Sequence, residues 1–215
     1  MAKNNFLFDV PKRPATMSDN SYVAFKLASI ANRLAQENRT LVNHRNGRPE
    51  NVAEHSLMLA IMGPIVAETI YPDLNPDLIA RFASIHDVVE AYVGDTPTHN
   101  IDETGFEIKQ KLENRGLKKL NLDFNDMPGF VKLINDYEEQ KIPEARFVKV
   151  LDKCMPILIH IIEGGKTLRT YIDKKGLYQN SRDRSQKLRK QYPDFLDLII
   201  MREELATIAS RYLIA

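Results

Sequence analysis

The chain has 215 residues, 43% hydrophobic and 27% charged, with 30 Lys and Arg set against 29 Asp and Glu. That is the composition of an ordinary soluble protein with one well-packed domain, and a formal net charge of +1 creates no global field to recruit nucleic acid or an anionic membrane. Its single cysteine, Cys154, excludes an internal disulfide and fits a reducing cytoplasm.

Residues 1–17, with Pro11 and Pro14, read as an irregular lead. The stretch MAKNNFLFDVPKRPATM holds no continuous apolar core of signal-peptide type, and no run approaches membrane-spanning length, so a cytoplasmic location is expected. Ser18, Asp19 or Asn20 can cap a helix running to about Glu37, with Tyr22, Phe25, Ile30 and Leu34 inward. The segment NRTLVNHRNGRPE reads as a loop closed by Gly47 and Pro49. A helix from about Asn51 to Ile70 carries His55. The next, opened by Pro76 and Asp77, carries His86, Asp87 and Glu90 and ends near Val93.

Shorter amphipathic helices follow around 104–115 and 127–140. Pro143 or Glu144 starts a long apolar helix to about Glu163 that carries Asp152, kinks at Pro156 and is broken by Gly164-Gly165. Segments 167–173, 180–191 and 194–212 again show helical periodicity. No run of alternating strand residues stands out. The expected architecture is therefore all-α, an irregular helical bundle, with residues 18–215 as one domain.

Two imidazoles and two carboxylates stand out within these helices. His55 precedes SLMLAIM, the pair His86-Asp87 follows LIARFASI, and Asp152 follows FVKVL. Charged groups in apolar helical faces are rare unless they are paired or hold a metal. This set suits one borderline divalent ion of the Mn²⁺, Co²⁺, Zn²⁺, Fe²⁺ or Ni²⁺ group. Glu90 lies four residues after His86 and three after Asp87, on their face, where it can address a water on the metal. Asp95 follows where Gly94 and Pro97 mark the exit from the helix.

Other readings stay open at this level. Asp152 can pair with Lys149 or Lys153 on the helix surface. His160, inside LIHII, reads as a core histidine, and Cys154 as packing on nearly the opposite helix face from Asp152. Arg33, Arg39, Arg45 and Arg48, with His44, cluster just upstream of His55; an arginine fork suits phosphate oxygens, though a solvated loop explains any single one. The basic tail RDRSQKLRK reads as a solvated helix face, since it lacks interleaved aromatics.

The segments ENVAEHS, SIHDVVEAYVGDTPT and KVLDKC resemble the HD superfamily of metal-dependent phosphohydrolases. Within it they are most similar to the bacterial YfbR-type 5′-deoxynucleotidases and related HD-domain nucleotidases, over about residues 20–175. The resemblance implies that His55, His86, Asp87 and Asp152 bind the metal and that Glu90 and Asp95 are catalytic. It implies that Arg39 meets the substrate phosphate and that dimers form; Arg48, immediately before Pro49 in the basic cluster, is the second choice for the phosphate. The apolar stretch FLDLIIMREELATIASRYLIA can supply the dimer face or close the monomer's own core. In those enzymes a tryptophan near the sugar usually follows the arginine; here the residue is Thr40, and the chain has no Trp.

The implied reaction is hydrolysis of a deoxynucleoside 5′-monophosphate to deoxynucleoside and phosphate. Its enzymatic alternative is a deoxynucleoside triphosphate hydrolase of the dATP type. The alternative from another class is a nucleotide-sensing or scaffold protein with a structural metal. His99 leaves room for a second metal, because two-metal HD enzymes use additional histidines.

Overall fold

A computed structural model describes residues 6–96 and 103–213. Helix α1 (Asp19–Gln36) starts at Ser18, whose hydroxyl accepts from the Ser21 amide, and buries Ile30 and Leu34. Its successor is not a loop. Strands β1 (Asn38–Asn43) and β2 (Pro49–Asn51) form an irregular antiparallel hairpin. The connection closes by His44 N–H to the Arg48 carbonyl at 2.8 Å, with Gly47 at φ 85° in the left-handed region. A pair this short is marginal alone. It is held between α1 and the next helix, where the Val52 amide donates to the Glu37 carbonyl at 3.0 Å.

Helix α2 (Val52–Ile70) begins with a reciprocal cap: Asn51 accepts from the Glu54 amide at 2.9 Å, and Glu54 accepts from the Asn51 amide at 3.1 Å. It packs closely on α3 (Pro76–Ile85), where a side chain at Gly63 would meet Ile79 Cγ2 at 3.1 Å. The expected continuous helix through His86 and Glu90 is interrupted. Residues 86–89 form a turn of i→i+3 bonds, Glu90 N–H to the Asp87 carbonyl at 2.9 Å among them, before the short α4 (Glu90–Val93).

Beyond the undescribed residues lie α5 (Glu103–Asp123) and α6 (Pro128–Glu139). The long apolar helix divides in two rather than kinking. α7 (Pro143–Asp152) stops at the ligand candidate itself, and Pro156 falls in the first turn of α8 (Met155–Ile162), where its missing N–H costs nothing. The short α9 (Leu168–Tyr171), α10 (Lys174–Gln191) and α11 (Leu196–Tyr212) complete the bundle.

The main core joins α2, α3, α7 and α11 through Leu59, Ile79, Phe82, Phe147, Leu151, Leu198 and Ile199, all fully buried. The C-terminal stretch thus closes the chain's own core. A second cluster packs α1, α4 and α5 around Tyr92 and Phe124. Part of the irregular lead belongs to it: Phe8 is buried edge-on to Tyr92, and the Leu7 amide donates to the Tyr92 carbonyl at 2.9 Å. The architecture is the helical bundle expected, plus one small hairpin.

Candidate active site

Three helix ends and a turn bring the four ligand candidates together. His55 is in the first turn of α2 just past its cap, His86 and Asp87 are in the turn that ends α3, and Asp152 is the last residue of α7. His55 Nε2 lies 2.9 Å from Asp152 Oδ1 and 3.8 Å from Asp87 Oδ2. His86 Nε2 lies 3.0 Å from Asp87 Oδ2 and 3.8 Å from Asp152 Oδ1. Both histidines and Asp152 are buried.

The arrangement of these side chains suits a cation at their centre. His86 Nδ1 is 2.8 Å from the Ala83 carbonyl, which can only accept, so Nδ1 carries a proton and Nε2 is the ring atom left to face the centre. That Nε2 is buried without a hydrogen-bond partner and faces two carboxylate oxygens. Two carboxylates around that atom are matched to positive charge, which an imidazolium proton supplies without a metal and a divalent ion supplies with the neutral ring as its ligand. Atoms that share an ion at about 2.1 Å stand about 3.0 to 3.4 Å apart in octahedral or tetrahedral geometry. The observed 2.9–3.8 Å brackets this range. Two imidazoles and two carboxylates thus fit a divalent transition metal, and His55, His86 and Asp152 alone already form a buried ligand group.

The surrounding charges act in the same sense. Burial works against ionised carboxylates, but His86 and Arg39 hold Asp87 far below the ordinary range, and Lys153, His55 and His86 do the same for Asp152. Burial likewise opposes the imidazolium of His55, and Asp152 and Glu50 outweigh it to raise its pKa. Glu90 goes the other way. Burial, then Asp87 and Asp95, push its carboxyl well above the usual value, and its Oε2 is buried without a hydrogen-bond partner. A carboxyl of this kind can hold or pass a proton near neutrality.

Arg39 projects from β1 to this centre, with Nη1 3.1 Å from Asp87 Oδ2 and Nε 3.2 Å from Glu50 Oε1. Asp95 Oδ2 accepts from the Thr40 amide at 2.6 Å, tying the exit of α4 to β1. Arg39, Asp87, Glu90, Asp95 and Asp152 all line one cavity of about 590 Å³, within the range of small-molecule sites. Thr40 lines it too, so the position where the similar enzymes carry Trp does face the site.

Arg48 is not brought there. It sits in the hairpin turn, half exposed, with Nη2 2.7 Å from Glu54 Oε1, and serves the start of α2 instead. His44 joins the same carboxylate at 3.1 Å. His160 is a buried histidine between Glu163 and the Tyr171 hydroxyl. Cys154 is fully buried, its thiol pushed up to about 12 by that burial. His99 lies outside the described residues.

Four residues at the site escaped the sequence reading. Glu50 is fully buried on β2, with Oε1 3.2 Å from both His55 Nδ1 and Arg39 Nε, although neither contact has hydrogen-bond alignment. Its only sequence signal is a carboxylate five residues before His55. Lys109 and Lys149 line the cavity, as does Arg184 from the basic segment expected to be wholly solvated. Nothing in their local sequence separates them from surface cations.

The sequence profile of the HD domain matches residues 31–194. The human 5′-deoxynucleotidase HDDC2 is 35% identical over 114 residues, which are 52% of this chain and 53% of that protein. The fission yeast 5′-deoxynucleotidase hdd1 is 30% identical over 118 residues, 51% and 56% of the two chains. The chain thus spans about half the length of the curated relatives it matches. Among solved structures, one described as a metal-dependent phosphohydrolase from Magnetospirillum magnetotacticum superposes with a TM-score of 0.65 at 23% identity, over 86% of this chain and 93% of that one. At that identity the likeness is one of fold.

Proposed function

The chain belongs to the HD domain family, and from that premise we propose that it is a metal-dependent phosphohydrolase that removes the 5′-phosphate of deoxynucleoside monophosphates. The observation that carries the reading is the convergence of His55, His86, Asp87 and Asp152 through contacts of 2.9–3.8 Å, with Glu90, Asp95 and Arg39 on the same cavity. The names of the relatives add the substrate class. His55, His86, Asp87 and Asp152 would hold one divalent transition metal. When bound, it supplies Lewis acidity toward a phosphoryl oxygen and toward the attacking water.

Glu90 takes the proton of that water at Oε2 as the water oxygen bonds to phosphorus and the bond from phosphorus to the 5′-oxygen breaks. Asp95, held by the Thr40 amide, delivers a proton to the departing 5′-oxygen. Arg39 contributes fixed positive charge beside the phosphoryl group and orients it. We further take the protein to be cytoplasmic, in keeping with its one reduced, buried cysteine. The implied homodimer belongs to the same reading; it has an exposed apolar row on α2, Leu57, Ile61 and Ile65, and sedimentation velocity decides it.

The test is phosphate release from metal-stripped protein resupplied separately with Mn²⁺, Co²⁺, Zn²⁺ and Mg²⁺, offered the four dNMPs, four NMPs and four dNTPs. Metal-dependent orthophosphate from dNMPs is expected. His55→Ala and Asp87→Ala should lose both metal and turnover, whereas Glu90→Ala should keep the metal and lose turnover. Turnover of dNTPs alone overturns the substrate class, and full activity in Glu90→Ala overturns its role.

A further inference from the structure

We propose that Lys149 is a phosphate-binding residue of this site, its ammonium meeting a non-bridging phosphoryl oxygen of the substrate; the assignment rests on the phosphate-ester reading above. Lys149 stands three residues before Asp152 on α7, on the same helical face, and lines the same cavity. Six carboxylates, Asp87, Glu90, Asp95, Glu113, Glu138 and Asp152, line that cavity as well. A phosphate dianion enters such a site only where cations offset the repulsion.

The other cations are already engaged. Arg39 contacts Asp87 and Glu50, and Lys153 pairs with Asp152. Lys109 donates to the Thr96 carbonyl at 2.8 Å and lies 3.5 Å from Glu113. Arg184 has interactions of its own. Lys149, among the described residues, makes neither a hydrogen bond nor an ion pair, and its Nζ lies 5.4 Å from the centroid of the Tyr137 ring.

An ammonium with limited solvent and no counter-ion is costly, and it persists where something else stabilises the charge. The face of the Tyr137 ring and the carboxylates of Glu138, Asp152 and Asp87 do so, and the Lys149 pKa lies above the ordinary value against burial. The support is rigid: Tyr137 is fully buried and stands edge-on to the ring of His86, 6.2 Å between centroids. Lys149 therefore keeps three N–H donors for a ligand, on a platform packed against a metal ligand. Charge that builds on the equatorial phosphoryl oxygens during transfer is what such a donor stabilises.

The experiment uses full-length protein loaded with Mn²⁺ and two probes without a nucleoside: orthophosphate, titrated calorimetrically, and p-nitrophenyl phosphate, followed by hydrolysis. Lys149→Met should bind orthophosphate at least about tenfold more weakly and hydrolyse the ester about 10²–10³-fold more slowly, at unchanged metal content and Tm. Lys149→Arg should recover part of the binding relative to Lys149→Gln, a pair that also serves if the Met variant does not fold. Wild-type orthophosphate affinity in Lys149→Met overturns the proposal. So does loss of metal in proportion to activity, which would make Lys149 a support for Asp152. If the wild type spares every dNMP while Lys149-dependent orthophosphate binding persists, the substrate class falls and the Lys149 assignment stands.

Discussion

Replacing Glu50 tests how the proposed metal ligands are held. Its carboxylate is fully buried, and one oxygen, Oε1, lies 3.2 Å from the Nδ1 of His55 and 3.2 Å from the Nε of Arg39, whose far end touches Asp87. An acceptor beside Nδ1 favours the tautomer whose Nε2 lone pair faces the metal position, and its negative charge raises the basicity of the ring. Glu50→Gln keeps an oxygen of the same reach but removes the charge, so the effect should fall at the low end for such supporting groups: about tenfold in metal affinity, or about 1.4 kcal/mol.

Glu50→Ala removes both the charge and the oxygen beside His55 Nδ1 and Arg39 Nε, which places it near about hundredfold, or about 2.8 kcal/mol. The assay is competition for Mn²⁺ or Zn²⁺ between metal-stripped protein and a chromophoric chelator, with thermal denaturation of the metal-free protein run alongside. Expected is the order wild type, Gln, Ala in affinity. If both variants hold metal as tightly as wild type while only their metal-free stability changes, Glu50 merely packs, and the argument through the His55 tautomer is wrong.

Three further outcomes follow from the fold. Arg48, then His44 and the Asn51 amide, bring the Glu54 carboxyl down from 4.5 to about 2, so its contribution is complete above pH 4.5 and is lost as pH falls towards 2. Screening of this one-third exposed group leaves about 1 kcal/mol, so Glu54→Gln should lower the urea midpoint at pH 7 and differ progressively less from wild type below pH 4.5. Cys154 should resist a thiol reagent at pH 8 in the native protein and react at once in denaturant; fast native labelling would contradict its burial. Gly116→Ala puts a methyl 3.0 Å from Val89 and Val93, forcing α5 away from α4, and should cost about 1–3 kcal/mol in chemical denaturation.

By itself the sequence was enough to single out the candidate ligands and most of the helices around them. His55, His86, Asp87 and Asp152 are chemically conspicuous in apolar surroundings, and α1, α2 and α11 follow from caps and from a periodicity that repeats every few residues. Those are local signals. The interruption at residues 86–89 and the end of α7 at Asp152 are not, because the segments themselves are good helix and only the convergence on a common centre requires the chain to turn there. The hairpin of β1 and β2 was missed for a related reason: strands this short are stabilised by docking between α1 and α2 rather than by their own alternation.

Charge placement divides in the same way. Arg48 and Arg39 look alike in sequence, yet one is taken by Glu54 beside the α2 cap and the other crosses to Asp87, 48 positions away. Lys149, Lys153 and Arg184 belong to helices with mixed surfaces, and Glu50 to a strand of three residues. Residue type and period report what a side chain can do and how a segment coils. Whether a cation meets water or a buried carboxylate is decided by which helix faces pack against each other, and that packing is set by contacts between residues far apart in the chain, such as His55 and Asp152, 97 positions apart.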